Sequence, residues 1–530
     1  MCFENDIDLG DFDFLDLELD KPKSDSYLNE IECYIDKNIQ SLVKYIFPEY
    51  YRFFPINYWK RILYTQIFHT ISLIFKIEAL FDKIAKQNIK FKVRVLNENQ
   101  IYPIEGHGLT IRLINGFNLF KLTSLILHKK QLKHIELKSH ITKPQPEINK
   151  NSVGFSLNEI VLNIIQFFSK NVVIGYGINL FDAIYLNYKL PIKKKPKSNQ
   201  PIYLSENSKN NIDWRYDIIR DLISPKLKES ISKYYKLNNE GKLKFDYKIK
   251  LVQNSIYQDF DELILSNISS LFGKIIITSQ HGGDLFSNND LFKKNVERNY
   301  DFFISWKEYL DDKKNILKLP SPLFSKAFNT FKQRNNRIIL VATQALKFNV
   351  GFDGWFINSK DAINYRSSKI NLINFLLSKE RGNFYYRHYP FYSETSLEDS
   401  VFFQKKFPEL QIINSKLHKE IKNCKLLILD HPGTTLSLAL SINVPIMLYV
   451  ENKKHFGIDE NSALIRDMLK LKILLIDFEK FTSQYEKIKC DPKTWWNSES
   501  IQKFRKSFFK NNAFIDKKWK EKWIINLNEI

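Results

Sequence analysis

The segment Leu426–Tyr449 has the residue types and spacing of a strand–loop–helix–strand unit that binds an anion. An apolar run ends at Asp430, Pro432–Gly433 break it, and Thr434–Thr435 precede an apolar stretch that predicts a helix. In an open parallel sheet, ligands bind beyond the carboxyl ends of the strands, where a helix N-terminus offers N–H groups and a positive dipole. A threonine there caps the helix or donates a hydroxyl to a phosphate. Spacing alone leaves open an anion site or an ordinary capped helix.

A histidine follows another predicted strand. Leu271–Thr278 is a compact apolar run with three consecutive isoleucines, which indicates a buried strand, and it leads into the sequence SQHGGDLF. His281 therefore stands at a strand end, beside the flexible Gly282 and Gly283. An imidazole titrates near neutral pH, which suits a general base. The alternative is a packing histidine beside a Gly–Gly turn.

A third segment, Tyr385–Tyr392, has the sequence YYRHYPFY. Arg387 at the end of this predicted strand has the planar guanidinium that grips a phosphate or carboxylate with two hydrogen bonds. His388 follows it and is placed to assist. The tyrosines either stack on a base or sugar or belong to the hydrophobic core.

The order of these segments resembles the surface-polysaccharide transferases called the LIC12162 family. Their pattern has a QHGG-type motif, an aromatic run soon after it, a later arginine, and a Thr-Thr helix that ends in N-x-P. Here the aromatic run is Phe302–Trp306, and Asp491–Asn497 (DPKTWWN) matches a Trp-Trp signature of the family. More distantly, the layout is similar to GT-B transferases. The resemblance implies an α/β, GT-B-like fold: two Rossmann-like domains facing a cleft, with a helical N-terminal extension.

The resemblance also implies roles for the residues of these motifs. His281 matches the catalytic base position. The positions that match donor or phosphate contacts are Gly282, Gly283, Arg387, His388, His431, Gly433, Thr434 and Thr435. The donor is implied to be a nucleotide-activated substrate, and neither a cofactor nor a metal is expected. Many GT-B enzymes carry an acid in the helix after the threonines that holds the donor ribose, but Leu436–Leu438 contains no carboxylate.

The implied function is a transferase of cell-surface polysaccharide biosynthesis, such as O-antigen synthesis. It would move a glycosyl group from the nucleotide-activated donor to a glycan or lipid-linked acceptor. Two alternatives remain open at this point. One is transfer of an alditol phosphate, as in glycerophosphotransferases, and the other is a degenerate, non-catalytic homologue.

The elements that must position these residues divide the chain into four parts. Helix-period apolar positions predict helices in residues 30–87 and 212–265, and the apolar stretch Ile62–Phe81 is interrupted by polar residues, as in a buried helix. Strands alternate with helices beyond residue 326, which predicts a parallel sheet. The predicted parts are an acidic disordered tail (1–24), an N-terminal α/β acceptor-side domain with helical segments (25–325), a Rossmann-like donor-binding domain (326–500) and a C-terminal helix (501–530).

Composition narrows the class of protein further. The 530 residues carry a net charge of +21, which suits phosphorylated substrates or peripheral contact with an anionic membrane; AT-rich coding bias explains it equally well. No arginine-rich tract or Cys/His finger supports nucleic-acid binding. Four dispersed cysteines and an N-terminus without an apolar core indicate a cytoplasmic protein without a signal peptide, peripheral at most at the inner face of the cell membrane.

Overall fold

The structure is a computed structural model that describes most of the chain. The described residues are 21–86, 91–96, 123–124, 126–127, 135–140, 177–190, 213–245, 247–252, 259–280, 282, 299–307, 315–343, 359–389, 399–451, 458–460 and 462–530. The prediction of an acidic tail therefore lies almost wholly outside the described residues, and the first described helix already begins at Lys21, inside the 1–24 segment.

Two long helices open the described chain, α1 (Lys21–Ile46) and α2 (Ile56–Lys86). Their apolar side chains recur every three or four residues and pack in one helical core with parts of the segment 214–271. The predicted buried helix at Ile62–Phe81 lies within α2, as expected. No helix in the described ranges is long and apolar enough to cross a bilayer.

A four-stranded parallel sheet follows the helical region. The elements of this part are β1 (Phe91–Leu96), β2 (Ile135–His140), α3 (Leu180–Lys189), α4 (Trp214–Leu222), α5 (Pro225–Asn239), β3 (Ile249–Val252), α6 (Phe260–Leu271), β4 (Ile275–Ser279), β5 (Phe302–Ser305), β6 (Ile316–Lys318) and α7 (Pro322–Ala327). The sheet has the order β3-β4-β5-β6, with every pair parallel, and β1 pairs with β2 separately.

One helix prediction and one strand prediction in this part need correction. The segment 212–265 is not helical throughout, because it contains β3, whose four residues are too few to show a period and whose burial depends on pairing with β4. The strand predicted at Leu271–Thr278 begins only at Ile275. Phe272 and Gly273 form the turn after α6, and Gly273 adopts a φ of 70° that favours glycine.

The second half forms a six-stranded parallel sheet with the order β12-β11-β10-β7-β8-β9. Its strands and helices alternate along the chain as predicted. They are β7 (Ile338–Val341), α8 (Ser359–Lys379), β8 (Phe384–Arg387), α9 (Asp399–Lys406), β9 (Gln411–Ile412), α10 (Leu417–Ile421), β10 (Leu426–Leu429), α11 (Thr434–Ile442), β11 (Ile446–Tyr449), α12 (Ala463–Lys470) and β12 (Leu474–Leu475).

The order of this sheet is that of a doubly wound, Rossmann-like domain. From β7 the chain adds β8 and β9 on one side of the sheet, and from β10 it adds β11 and β12 on the other. The neighbours β7 and β10 therefore form the topological switch point. Alternate residues of β10 face opposite cores: Leu426 and Ile428 pack with α8, and Leu427 and Leu429 pack with α11. Helices therefore cover both faces, and the topological switch point lies at the carboxyl ends of β7 and β10.

Four helices end the chain and connect the two sheets: α13 (Phe478–Ile488), α14 (Pro492–Trp496), α15 (Glu499–Asn511) and α16 (Trp519–Glu529). The single C-terminal helix predicted beyond residue 500 is wrong, because the segment between α15 and α16 turns back to the first sheet. There the N–H of Phe514 donates to Trp306 O at 2.6 Å, and Trp523 Nε1 donates to Pro320 O at 2.9 Å. One hydrophobic core runs through both sheets and these helices.

Candidate active site

The switch point of the second sheet is closed by a buried carboxylate. Asp430, the residue after β10, is 4% exposed, and its Oδ1 accepts the N–H of Thr343, two residues beyond β7, at 2.9 Å. The phenol of Tyr365 on α8 donates to Oδ2 of the same carboxylate. Burial, followed by the charge of Asp430, holds the pKa of Tyr365 well above its usual range, so the phenol keeps its proton.

Two cations on α8 extend this arrangement. Lys369 Nζ donates to Thr343 O at 2.8 Å and pairs with Asp399 at the start of α9. Arg366 Nη2 donates to the same Asp399 carboxylate at 2.8 Å. Buried charges are tolerated only when they are paired and hydrogen-bonded. The arrangement therefore fixes the ends of β7 and β10 and the start of α9 against one helix.

The loop after Asp430 leads directly to the N-terminus of α11. His431 is buried, and its Nδ1 lies 2.9 Å from Asp430 Oδ1, so the carboxylate orients the imidazole. Gly433 is the N-cap residue and supplies no side-chain hydrogen bond to the helix, which begins at Thr434 as predicted. The first N–H groups of a helix have no partner within it. Thr434 and Thr435 thus present N–H donors and the positive end of the helix dipole.

The loop after β4 meets this helix N-terminus. A methyl group built on Gly282 would overlap Oγ1 of Thr434, so the backbone of the loop after β4 lies against the N-terminus of α11. The side chain of Gln280 fixes the loop: Nε2 donates to Gly282 O at 2.7 Å, and Oε1 accepts the N–H of Trp306 at 2.9 Å. His281 and Gly283 lie outside the described residues, and the two sequence neighbours of His281, Gln280 and Gly282, are at this junction.

Arg387 and His388 lie further along the same edge of the sheet. β7 separates β8 from β10, which places the ends of these strands about 10 Å apart at ordinary strand spacing. Arg387 Nη1 donates to Ile413 O at 2.7 Å, and burial lowers the pKa of its guanidinium although Glu420 opposes the shift. His388 is half-buried, with Nδ1 3.1 Å from Tyr389 O. The structure therefore brings Gly282, His431, Gly433, Thr434 and Thr435 together and leaves Arg387 and His388 at a neighbouring position.

Several residues of this site were not singled out from the sequence. Asp430 carried a signal, since it is a carboxylate at the end of an apolar strand next to a histidine. Tyr365 and Lys369 had no recognisable signal in the sequence, because their partners are distant in the chain and the pattern of α8 predicts only a helix. Among the described residues, no three side chains of metal-ligating type are grouped to hold an ion.

A family model described as LIC12162 family transferase matches residues 2–527. The chain belongs to the LIC12162 family of transferases. The family match covers nearly the whole chain and confirms the resemblance carried by the His-Gly, arginine and Thr-Thr segments. The two parallel, Rossmann-like sheets and the helical N-terminal region likewise confirm the predicted α/β, GT-B-like fold.

Solved structures with some similarity include the wall teichoic acid polymerase TagF, at 11% identity over 48% of this chain and 67% of that chain, with a TM-score of 0.29. The spinosyn rhamnosyltransferase SpnG is 12% identical over 54% and 74% of the two chains, with a TM-score of 0.29. The Arabidopsis thaliana protein UGT89C1, solved with UDP-L-rhamnose, is 9% identical over 84% and 94%, with a TM-score of 0.30. No curated protein matches the chain in sequence.

Proposed function

We propose that this LIC12162 family transferase moves a glycosyl group from a nucleotide-activated donor to a glycan or lipid-linked acceptor in cell-surface polysaccharide biosynthesis. The observation that carries the proposal is the close approach of Gly282 to Thr434. It joins a loop that contains a histidine to a helix N-terminus without a side-chain cap. A base and an anion-binding element are the two parts that transfer from a phosphorylated donor needs.

In the proposed step, His281 accepts the proton of the acceptor hydroxyl. The acceptor oxygen forms a bond to the donor's activated carbon while the bond between that carbon and the phosphate oxygen breaks. The nucleoside diphosphate leaves with the electron pair, and its negative charge is stabilised by the N–H groups and dipole at Thr434 and Thr435. One well-placed donor of this kind contributes about 10²–10³ in rate. No cofactor or metal enters this step.

Arg387 and His388 are assigned to donor groups beyond the phosphates held at α11. They share the carboxyl edge of the sheet with Thr434, but β7 lies between them. Arg387 holds its position through the hydrogen bond from Nη1 to Ile413 O, which leaves the other edge of a planar guanidinium to face a ligand. His431 is assigned a supporting role, because Asp430 orients it beside the phosphate position.

A donor screen tests the proposal. Purified protein is incubated with separate sugar nucleotides and CDP-alditols, and release of the nucleotide product is measured with an acceptor extract. We expect turnover of a sugar nucleotide by the wild type and by His418→Ala, a matched change at an exposed histidine on α10. We expect no turnover by His281→Ala with unchanged folding.

The other outcomes of the screen separate the rival functions. Turnover of a CDP-alditol alone would replace glycosyl transfer by alditol-phosphate transfer. Nucleotide binding without turnover of any donor would indicate the non-catalytic homologue. Wild-type turnover by His281→Ala would remove the histidine from the mechanism.

We also propose that the protein works peripherally at the inner, anionic face of the cell membrane and contacts it through α3. Phe181 and Tyr188, at 80% and 81% exposed, lie with Ile184 and Tyr185 on one outward face of this helix. The sequence PIKKKPK follows α3 directly, and apolar side chains beside lysines suit an anionic lipid surface. Asp182 anchors the opposite face of α3 through ion pairs to Lys326 and Lys520.

Vesicle sedimentation tests this contact. The wild type should sediment with vesicles that contain phosphatidylglycerol and not with phosphatidylcholine alone, and the double change Phe181→Ser with Tyr188→Ser should weaken binding at least tenfold. Val401→Ser, at an exposed valine on α9, is the matched control and should bind like the wild type. Equal binding by the double variant would exclude α3 as the contact.

A further inference from the structure

A cavity opens on the α8 side of the second sheet, at its carboxyl edge. Its volume is about 390 Å³, which is ample for a nucleoside. Most of the residues that line it are polar, and they include Asn364, Ser367, Ser368, Lys369, Asp430 and Glu451. The cavity therefore begins beside Asp430, which is also the first residue of the loop that leads to Thr434.

Glu451 occupies a special position in the unit β10–α11–β11. It stands two residues beyond the end of β11, which is parallel to β10 and directly beside it. In dinucleotide-binding βαβ units, the pyrophosphate lies at the helix N-terminus and a carboxylate about 20 residues on, past the second strand, binds the ribose hydroxyls. Here 18 positions separate Gly433 from Glu451 in the printed sequence. The same relation between phosphate loop and carboxylate therefore exists in this chain.

The exposure of the two carboxylates in the cavity differs. Asp430 is buried, and its oxygens already accept hydrogen bonds from Thr343, Tyr365 and His431. Glu451 is exposed at the rim, where its oxygens are accessible to a ligand. A carboxylate accepts two hydroxyl hydrogen bonds at once, which matches the cis-diol of a ribose. The hydroxyls and amides of α8 provide donors and acceptors for the edge of a base.

We infer that this cavity is the nucleoside subsite of the donor and that Glu451 binds the ribose hydroxyls. The inference rests on the proposed function, which places the donor phosphates at Thr434 and Thr435. Glu451 then provides the ribose-binding carboxylate that is absent from α11, where Leu436–Leu438 contains none. The ligand class is thus a ribonucleoside diphosphate, bound with its phosphates at α11 and its ribose beside Glu451.

Calorimetric titration measures separately how the nucleoside and the phosphates of such a ligand contribute to its affinity. Wild type, Glu451→Gln and Glu409→Gln are titrated with UDP, CDP, GDP and ADP, with the 2′-deoxy form of the nucleotide that binds, and with pyrophosphate. Glu409 is an exposed carboxylate before β9 at the opposite edge of the sheet, so its variant is the matched control. Thermal unfolding confirms that each variant is folded.

We expect Glu451→Gln to weaken binding of the ribonucleoside diphosphate at least tenfold and to leave pyrophosphate binding unchanged. The wild type and Glu409→Gln should discriminate against the deoxynucleotide, and Glu451→Gln should lose most of that discrimination. Unchanged nucleotide affinity or unchanged discrimination in Glu451→Gln overturns the inference while the proposed function stands. Failure of every nucleotide to bind the wild type overturns both.

Discussion

The two ends of α11 are built in opposite ways. At the C-terminal end, Arg505 Nε and Nη2 donate to Leu440 O at 2.9 and 2.8 Å, and the backbone N–H of Asn329 donates to Ser441 O at 2.8 Å. Asn443 closes that end in the left-handed region with a φ of 74°. At the N-terminal end, Gly433 supplies no side-chain cap. Protein groups thus occupy the carbonyl end, whereas the N-cap residue adds no side-chain hydrogen bond at the N–H end, where we propose that a phosphate binds.

This difference between the two ends supports the proposed anion site. The contacts of Arg505 and Asn443 fix the position of the helix, and Ser441 Oγ adds a 2.6 Å hydrogen bond to Phe324 O in α7. Donors held rigidly need no reorganisation when charge develops, which is the condition for strong electrostatic stabilisation. Thr434, whose Oγ1 lies beside Gly282, is therefore held in a fixed position. Substitutions at the N-terminal end of α11 should weaken ligand binding and slow turnover. Substitutions at its C-terminal end should lower the stability of the protein.

The largest effect is expected from Gly282→Ala. Its new methyl group would overlap Oγ1 of Thr434, so the two loops must separate, and a displacement of about 1 Å in a catalytic site costs roughly 10²-fold in rate. Turnover of the donor found in the screen measures this loss. Adding Thr434→Ala removes the overlapping oxygen, so the double variant should recover the rate of Thr434→Ala alone. Wild-type turnover by Gly282→Ala would show that the two loops do not meet in the working enzyme.

At the C-terminal end, Arg505→Met should lower the free energy of unfolding by about 2–3 kcal/mol, because the two hydrogen bonds from its charged guanidinium to the carbonyl of Leu440 are lost. Burial lowers the pKa of Arg505 to about 10, so the guanidinium is charged at neutral pH. Urea unfolding measures the change, and Arg466→Met at an exposed arginine of α12 is the control. Pyrophosphate affinity should not change in the folded variant. A stable Arg505→Met variant that binds pyrophosphate poorly would contradict the division between the two ends.

A negative charge at the N-terminal end of α11 should raise the stability of the protein and weaken its binding of phosphate. In Thr435→Asp the new carboxylate interacts favourably with the helix dipole, which adds about 0.3–1 kcal/mol of stability. The same charge repels a phosphate, so pyrophosphate affinity should fall about tenfold, equivalent to about 1.4 kcal/mol. Calorimetry and urea unfolding measure the two quantities on one preparation. The uncharged Thr435→Asn is the control, and equal affinity in both variants would argue against a phosphate at this position.

The smallest effect is expected from Asn443→Gly. Glycine keeps the left-handed backbone, but Trp496 Nε1 and Gln502 Nε2 lose the Oδ1 acceptor that they reach at 2.8 and 3.2 Å. The expected loss is about 1 kcal/mol in urea unfolding. Asn443→Ala should lose about 1–2 kcal/mol more, because a Cβ is strained at this φ. If the alanine variant is the more stable of the two, the left-handed closure of α11 is not the stabilising feature.

Local signals in the sequence were sufficient for α11 and its strands. Pro432–Gly433 and Asn443 bracket the helix so closely that its predicted bounds, Thr434–Ile442, are those of the structure. The approach of the Gly282 loop to Thr434 was expected only from the family resemblance, which implies two Rossmann-like domains facing a cleft. These features depend on neighbours in sequence or on topology.

What the sequence did not reveal depends on long-range contacts. β3 is a four-residue run among lysines, and only its pairing with β4 buries it. The contacts of Asp430 with Tyr365 join residues whose proximity no local pattern encodes. The same holds for Arg387, whose guanidinium binds the carbonyl of Ile413 at the end of β9. Its assignment to the donor remains a prediction.

The most direct test of the account is a crystal structure of the wild-type protein with the ribonucleoside diphosphate that binds best in calorimetry. We expect a phosphate within hydrogen-bond distance of the N–H groups of Thr434 and Thr435, facing Gly282. A nucleotide bound with its phosphates away from the N-terminus of α11 would contradict the account, whatever its affinity.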